Sequence, residues 1–437
     1  SYIAPSAITP PEVSISHALP VVRTEDMFKG ILICLPTVAG YRKEYLQQFI
    51  SFLAEQKINS LMLYGDNTVR FCGHEEFAAP GAMAHSDLRE LSNYAKQRHV
   101  TIVPSQPSFG HCPGMLSSSK YRHLAEDIAA YQLCPSNPAT YELLDDLYNQ
   151  WIGATDSPWI NVNCDESGLL GICPKCKLRR AEIGPDGIYV EHLLRLHEIV
   201  IRHGKRMMVW GDMLLRMPEA AKRLPRDIII LDWHYDGHDR FPSAQFFCGL
   251  GFEVIIVGNG YQSSNIRNFI HYSRELPVKG VMNTFWDSAA LVESYYYDVI
   301  HTARSGMHWA AQDSKLLACS IARDFFASET KSTCDALEFL AEQRVIMEQY
   351  PRLKLQVLNQ LCASFQKDNH TAANNSTFAS MVLDWLFMER DILSVEAGKR
   401  SVDSSLRLCC QKFGDIRFMP GWEQNSFGLR LRKVGLL

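Results

Sequence analysis

The sequence predicts a (β/α)8 barrel followed by a mainly helical region, and three observations support this fold class. A short apolar segment followed by a longer segment of helical periodicity repeats eight times between residues 28 and 310. The short segments are apolar throughout, which is typical of parallel strands buried on both faces. No Gly-x-Gly-x-x-Gly follows the first strand and no Walker motif occurs, which disfavours the main alternative, a doubly wound open sheet.

The predicted strands share runs of aliphatic residues bounded by turn-forming residues. They are expected at residues 30–36, 58–64, 100–104, 159–163, 206–211, 228–232, 253–258 and 280–284. The predicted helices share apolar residues at intervals of three and four positions. They are expected at residues 41–57, 86–99, 138–152, 188–203, 218–223, 242–250, 265–274 and 291–308.

After residue 310 the strand pattern ends. Residues 313–349 and 377–399 predict long amphipathic helices separated by a polar break at 368–376, and residues 418–437 are too mixed to predict a structure. We expect the helical region to pack beside the barrel or on a partner, which keeps a homodimer open. The predicted domains are an extended N-terminal arm, a catalytic barrel and a mainly helical C-terminal region, at residues 1–27, 28–310 and 311–437.

Composition excludes several classes of partner. The 44 basic and 48 acidic residues give a formal net charge of −4, so no nucleic-acid partner is expected. The apolar runs are of strand length, so no membrane partner is expected either. The 13 cysteines are an odd number in a long chain, which predicts mostly free thiols and a cytoplasmic location. Because the chain starts at Ser1, a removed leader stays an open alternative.

The active site of such a barrel lies at the carboxyl ends of the strands. Asp165 and Glu166 are the only adjacent acids at a predicted strand end. Neighbouring residues on a regular strand face opposite ways, but a broken pleat after the strand can turn both carboxyl groups into the site. Close carboxyl groups raise one pKa, which suits a general acid. A solvated pair of loop acids is the alternative interpretation.

Carboxylates and aromatic residues occur together at the other strand ends, which predicts a carbohydrate ligand. Carboxylates bind sugar hydroxyls, and aromatic faces cover the apolar face of a pyranose ring. Ordinary packing is the alternative for each tryptophan and a structural role is the alternative for the histidine. The candidate substrate-binding residues are Asp66, His111, Trp210, Asp212, Trp233, Tyr235, Tyr261 and Trp286.

Five segments carry a pattern more specific than the acid pair alone. They are Asn161-Val-Asn163-Cys164-Asp165-Glu166, Leu170-Gly-Ile-Cys173-Pro-Lys-Cys176, Gln106-Pro-Ser-Phe109-Gly110-His111, Cys-Pro-Ser-Asn-Pro at residues 134–138 and Trp-Gly-Asp at residues 210–212. Over residues 28–310 the chain resembles glycoside hydrolase family 20, the β-N-acetylhexosaminidases, and within it the hexosaminidase D branch. The family has His-x-Gly-(Gly or Cys)-Asp-Glu at the fourth strand, so Asn161 and Asn163 are departures from it.

The resemblance implies an exo-β-N-acetylhexosaminidase that acts on glycans or glycoconjugates ending in β-linked N-acetylglucosamine or N-acetylgalactosamine. It implies retention of configuration through an oxazoline formed by the substrate's own acetamido group. Asp165 would orient and polarise the acetamido N–H, and Glu166 would protonate the leaving oxygen and then activate water. The tryptophans would line the acetamido pocket, and Tyr235 or Tyr261 would donate to the acetamido oxygen.

His111 would bind a hydroxyl or support Asp165, and Asp66 and Asp212 would bind hydroxyls or support the site. Two alternatives stay open: a non-catalytic carbohydrate-binding barrel, and a retaining glycosidase with a protein nucleophile such as Asp212. No cofactor is expected. Cys173 and Cys176 have the spacing of metal ligands and Cys164 is a third candidate, but no fourth is evident in the sequence. We therefore predict reduced loop thiols and no metal.

Overall fold

The structure is a computed structural model. It describes residues 10–11, 26–236, 238, 240–260, 263–286, 292–308, 313–326, 328, 330–367 and 377–437. The predicted N-terminal arm lies almost entirely outside the described residues, and so does the predicted polar break at 368–376.

Eight parallel strands close into a barrel in which each strand pairs with the next in the chain and the eighth pairs with the first. The fold-class prediction is therefore confirmed, and the predicted strands match the observed ones to within two residues. The strands, β1 to β8 in chain order, are Phe28–Cys34, Ser60–Tyr64, Thr101–Ser105, Trp159–Asn161, Arg206–Trp210, Ile229–Trp233, Glu253–Asn259 and Gly280–Phe285. A short parallel pair, Val69–Arg70 and Met83–Ala84, lies in the connection after β2.

Helices cover the outside of the barrel. In chain order they are Lys43–Glu55, His85–Lys96, Pro113–Leu116, Pro138–Thr155, Pro174–Arg202, Asp212–Arg216, Pro218–Lys222, Pro242–Gly249, Ser263–Ser273 and Tyr296–His308. The helix after β4 begins fourteen residues before the predicted start at 188. Its backbone breaks at Gly184, which has a positive φ of 72° and precedes Pro185. The broken periodicity at this kink explains why the first half of the helix was not predicted.

The barrel interior and the layer between strands and helices are two separate apolar clusters, because successive side chains of a strand face opposite ways. On β1, for example, Leu32 faces the interior, whereas Ile31 and Ile33 face the helices. Phe28 and Trp159 occupy the interior at the amino ends of their strands, and a second aromatic layer, which includes Trp210, occupies it at the carboxyl ends. The aromatic layer thus forms the floor of the end at which the site is expected.

The C-terminal region is helical where it is described. Its helices are Ser314–Phe326, Lys331–Glu342, Arg344–Gln349, Pro351–Lys367, Thr377–Glu396, Ser404–Arg417 and Ser426–Lys433. The single helix predicted over 313–349 is wrong, because the segment divides into three. Thr330 caps a new helix there by accepting from the N–H of Thr333. The helix Thr377–Glu396 agrees with the prediction.

The end of the chain packs back onto the barrel. Arg417 donates to Glu293 at 2.6 Å, and both side chains are buried, with the hydroxyl of Tyr45 also bonded to Glu293. The N–H of Arg42 bonds the carbonyl of Arg417 at 2.9 Å. These contacts explain why the helical region lies against the loop after β1. The domain boundaries at 27/28 and 310/311 stay predictions.

Cys319 and Cys334 form a disulfide between two neighbouring helices of the C-terminal region, a pair that the sequence did not predict. The other eleven cysteines are free, in agreement with the expectation of mostly free thiols. The cytoplasmic location stays a prediction. Among the helices that the structure describes, none has the length and apolar character to span a bilayer.

Candidate active site

Five aromatic side chains line the barrel interior at the carboxyl ends of the strands. They are Tyr64, Trp210, Trp233, Tyr235 and Trp286, called the aromatic cup below. The period of two explains their common direction, since residues at alternate positions of a strand face the same way. The ring of Trp286 lies 5.2 Å from that of Tyr64 and 6.0 Å from that of Trp210. The sequence predicts that the three tryptophans line one pocket, and the structure brings them together.

The chain leaves β4 through a turn of unusual backbone. After the strand ends at Asn161, positive φ angles occur at Asn163 (60°), Cys164 (63°) and Glu166 (48°). Residues other than glycine rarely adopt this left-handed region, and such residues concentrate at functional sites. The pleat therefore breaks immediately before the acid pair, as the prediction of two converging carboxyl groups requires.

Asn163 stands at the position where the family that this sequence resembles has glycine. Asparagine tolerates the left-handed region better than most residues. Its Oδ1 accepts from Trp210 Nε1 at 2.8 Å and from Ser105 Oγ at 3.1 Å, while Asn161 Nδ2 donates to Ser105 Oγ at 3.0 Å. The two departures from the family motif thus belong to one buried polar network, which ties the turn after β4 to β3 and to the aromatic cup.

Replacing Asn163 by alanine should lower the free energy of unfolding by about 2–4 kcal/mol, because it removes an acceptor for buried donors and leaves a Cβ in the left-handed region. Asn163→Gly removes the same acceptor, but glycine adopts the left-handed backbone without strain. This variant should therefore be about 1 kcal/mol more stable than the alanine variant. Urea unfolding of both variants measures the difference. Equal stabilities would show that the backbone at this position carries no strain.

Asp165 and Glu166 both face His111. The Nε2 atom of His111 lies 3.1 Å from Glu166 Oε2 and 3.5 Å from Asp165 Oδ2. The side chain of Asp165 is 16% exposed and that of Glu166 31%. The hydroxyl of Tyr131 lies 2.9 Å from the same histidine nitrogen. A half-buried acid and a more accessible acid thus share one imidazole, so the predicted convergence of His111 with the acid pair is observed.

Burial controls the protonation of this group. It raises the pKa of Asp165 to about 7, and the charges of Asp212 and Glu166 add to the shift while His111 opposes it. Burial alone would lower the pKa of His111, but the hydrogen bond that its imidazole donates to Glu166 and the charges of Asp165, Glu166 and Asp212 outweigh it and raise that pKa. The imidazole is therefore held towards its cationic form, as the neighbour of two acids.

Asp212 positions the acid pair from beneath. Its Oδ2 accepts from the backbone N–H of Glu166 at 3.0 Å, and its Oδ1 accepts from Trp233 Nε1 at 3.4 Å. The residue is 1% exposed, and burial raises the pKa of its carboxyl group to about 6. Both oxygens are thus directed at protein donors, which disfavours Asp212 as a nucleophile and favours the predicted supporting role.

Replacing Asp212 by asparagine should lower the free energy of unfolding by about 1–3 kcal/mol, because the amide offers one acceptor to two buried donors. It should also lower kcat, since the backbone of Glu166 loses a hydrogen bond that holds its left-handed conformation. Urea unfolding and steady-state kinetics on one preparation measure both effects. A kcat unchanged in a destabilised variant would show that Asp212 supports the fold but not the placement of Glu166.

Tyr235, a member of the aromatic cup, is held through its hydroxyl oxygen. Its hydroxyl oxygen accepts from Trp286 Nε1 at 2.7 Å and lies 3.3 Å from Thr284 Oγ1. Indole is a donor only, so the proton of Tyr235 is not used in that bond. Burial raises the pKa of Tyr235, which keeps that proton in place. Tyr261, the alternative donor, lies outside the described residues.

Asp66 is predicted to bind a sugar hydroxyl or to support the site, and its contacts in the structure are with the backbone of a loop. Its carboxylate accepts from the backbone N–H groups of Gly114 and Met115, and burial raises its pKa to about 7 against those two bonds. These bonds hold the loop that begins at His111, which also has a positive φ of 59°. The described contacts of Asp66 therefore support the loop, and a bond to a sugar hydroxyl stays a prediction.

Tyr64 and Tyr131 are site residues that sequence reasoning missed. Tyr64 ends β2, so its position at a strand end was a usable signal. Tyr131 lies in the long connection after β3, where no rule about strand ends applies. Cys164 was considered as a metal ligand beside Cys173 and Cys176, but its thiol bonds the carbonyl of Val162 instead. Cys164 therefore does not group with Cys173 and Cys176 in the structure.

Known proteins with similar sequences include β-hexosaminidases. The family model described as "Glycosyl hydrolase family 20, catalytic domain" matches residues 56–262. A β-hexosaminidase of Vibrio furnissii is 26% identical over 168 residues, which are 35% of this chain and 27% of that protein. Hexosaminidase D of Bos taurus is 22% identical over 206 residues, which are 44% of this chain and 58% of that protein. The match thus covers about a third or less of the first curated relatives, at 27% and 32%.

Solved structures show the same fold. The β-N-acetylhexosaminidase of Bacteroides fragilis superposes with a TM-score of 0.54 at 15% identity, over 74% of this chain and 71% of that one. A Flavobacterium johnsoniae chitobiase superposes with a TM-score of 0.51 at 14% identity, over 88% of this chain and 74% of that one. At these identities the superpositions support the fold alone.

Proposed function

We propose that this chain, whose residues 56–262 match the catalytic-domain model of glycoside hydrolase family 20, is an exo-β-N-acetylhexosaminidase that works by substrate assistance. The observation that carries the proposal is the convergence of Asp165 and Glu166 on His111, at the carboxyl end of β4 and beside the aromatic cup. Neighbouring acids suit a reaction in which two adjacent groups of one sugar must be addressed at once. The proposed substrates carry a terminal β-linked N-acetylglucosamine or N-acetylgalactosamine.

In the first step the acetamido oxygen of the substrate attacks the anomeric carbon, and the bond from that carbon to the leaving oxygen breaks. Glu166 gives its proton to the leaving oxygen. Asp165 accepts a hydrogen bond from the acetamido N–H, and its negative charge stabilises the positive charge that develops on the forming oxazoline ring. The less exposed acid thus faces the buried acetamido group, and the more exposed one faces the departing aglycone.

In the second step Glu166, now a carboxylate, takes a proton from water as the water attacks the anomeric carbon. The oxazoline opens, the acetamido group is restored and the product keeps the β configuration. Tyr235 donates its free proton to the acetamido oxygen, with its own oxygen held by Trp286. The tryptophans exclude water from the acetamido pocket, which protects the oxazoline from unproductive attack.

The proposal is tested with aryl β-N-acetylglucosaminides and β-N-acetylgalactosaminides and a thiazoline analogue of the oxazoline. We expect release of the aryl group from at least one substrate and tight competitive inhibition by the thiazoline, which mimics the bound intermediate. Binding of N-acetylhexosamine without turnover of either substrate would favour the carbohydrate-binding alternative. Covalent trapping by a 2-fluoro sugar, without thiazoline inhibition, would favour a protein nucleophile.

A further inference from the structure

A second cluster of reactive side chains lies outside the catalytic group. Cys173 and Cys176, at the start of helix Pro174–Arg202, meet Cys134 and Glu126 of the connection after β3. One potential ligand atom from each of the four lies within 4.8 Å of all the others. The folded chain thus supplies the fourth ligand, and a different third one, that the sequence pattern did not show. We refer to these four residues as the thiol cluster.

The sulfur positions fit a tetrahedral metal centre. Cys134 Sγ lies 3.6 Å from Cys173 Sγ and 3.5 Å from Cys176 Sγ. A zinc ion with Zn–S bonds of about 2.3 Å separates its sulfur ligands by about 3.8 Å, the edge of the tetrahedron. The observed spacings therefore need to expand by only a few tenths of an ångström. They are much longer than a disulfide bond, so the three thiols stand as separate ligands.

Glu126 carries a buried carboxylate oxygen that a cation could neutralise. It is 3% exposed, and its Oε1 accepts from the backbone N–H groups of Ile172 and Cys173. Its Oε2 has no hydrogen-bond partner in the part of the chain that the structure describes, and no ion pair of Glu126 is found there either. The two N–H bonds therefore compensate only one oxygen of this buried carboxylate, and a divalent cation beside the other oxygen would offset the remaining cost of burial.

The backbone around the thiol cluster is prepared for negative charge. Cys173 is the N-cap of its helix, and its sulfur accepts from the N–H of Cys176 at 3.4 Å. A helix N-terminus and N–H donors favour anionic ligands. The serine Oγ of Ser136 lies 3.1 Å from Cys176 Sγ. These donors offset part of the excess charge that three thiolates and a carboxylate bring to one divalent ion.

We propose that Cys134, Cys173, Cys176 and Glu126 bind one zinc ion in a structural, tetrahedral site. Three soft thiolates select zinc over magnesium or calcium, and a full set of four protein ligands leaves no position for a reacting water. The thiols lose their protons to solvent as they bind. The site is separate from the reaction at Asp165 and Glu166 and does not depend on the proposed activity.

The proposed ion clamps two loops that serve the catalytic group. Tyr131, which contacts His111, lies three residues before Cys134, and Glu166 lies seven residues before Cys173. Gln132 already joins the loops through two hydrogen bonds with Leu169, at 2.9 Å and 3.2 Å. A metal bound between the same loops would hold Tyr131 and the acid pair in register.

The test measures metal directly on the full chain, purified under reducing conditions without chelator. We expect about one zinc per chain by elemental analysis, and cobalt substitution should give the intense thiolate-to-cobalt absorption of a tetrahedral site. Cys134→Ser and Glu126→Gln should each lower the zinc content, whereas Cys72→Ser, at an exposed free cysteine, should leave it unchanged. A chelator should lower the Tm by several degrees, and zinc but not magnesium should restore it.

A folded, reduced wild-type protein that holds no zinc and gives no cobalt absorption would overturn the proposal. A disulfide between Cys134 and Cys173 or Cys176, found by mass spectrometry in the freshly purified protein, would overturn it as well. Because these measurements use the wild type, they decide the question even where a cysteine variant fails to fold. Hydrolytic activity enters none of them.

Discussion

Glu166→Gln should lower kcat on aryl β-N-acetylglucosaminides by about 10²- to 10⁴-fold, because the amide has no proton to give the leaving oxygen. KM should change little, since the amide keeps the size and polarity of the acid. The loss should shrink for a dinitrophenyl substrate, whose leaving group departs without protonation. Steady-state kinetics on two substrates that differ only in the leaving group separate these effects.

Glu219→Gln is the matched control, since Glu219 is exposed and pairs only with Lys222 among its described ion pairs. It should keep wild-type kinetics on both substrates. A Glu166→Gln enzyme with unchanged kcat on the poorer leaving group would contradict the assignment of the general acid. An equal loss on both substrates would place the role of Glu166 elsewhere than in protonation.

Asp165→Asn should lower kcat by about 10²- to 10³-fold, because the variant loses the charge that stabilises the developing oxazoline ring. Unlike the loss in Glu166→Gln, this loss should persist with the dinitrophenyl substrate, since ring closure accompanies the departure of every leaving group. The thiazoline should also bind more weakly to the variant. Kinetics and inhibition constants measured side by side test both expectations.

Asp156→Asn serves as the control for this variant, because Asp156 is exposed and lies three residues before β4, at the opposite end of that strand from the acid pair. It should leave both kcat and thiazoline affinity unchanged. If Asp165→Asn loses activity but binds the thiazoline as tightly as wild type, Asp165 does not contact the acetamido group.

The barrel could be predicted closely because its strands are short apolar runs between turn residues, and each run carries its own signal. The acid pair could be predicted because parallel strands all end on one side of a barrel. Both inferences use local sequence together with one rule of topology. The helices after residue 310 were less predictable, since a cap such as Thr330 divides a continuous apolar stripe without changing its periodicity.

The site residues that the sequence does not reveal depend on how the long connections between strands pack in the folded chain. Tyr131, Cys134 and Glu126 belong to the part of the β3–β4 connection that precedes helix Pro138–Thr155 and has only short helical turns, and only the packed chain brings them to the loop after β4. The roles of Asn161 and Asn163 were equally hidden, because a left-handed backbone and a shared hydrogen-bond network are tertiary properties. Cys173 and Cys176 have the spacing of metal ligands, but the sequence favours reduced thiols and no metal, and it does not show that Cys134 rather than Cys164 lies beside them.

The proposed mechanism makes the acetamido group of the substrate the nucleophile. Its most direct test is the rate of hydrolysis of aryl β-glucosaminides in which the acetamido methyl hydrogens are replaced one by one by fluorine. Each fluorine makes the acetamido oxygen a poorer nucleophile, so we expect kcat/KM to fall steeply along the series. A nearly constant kcat/KM would contradict the claim and show that the enzyme supplies the nucleophile itself.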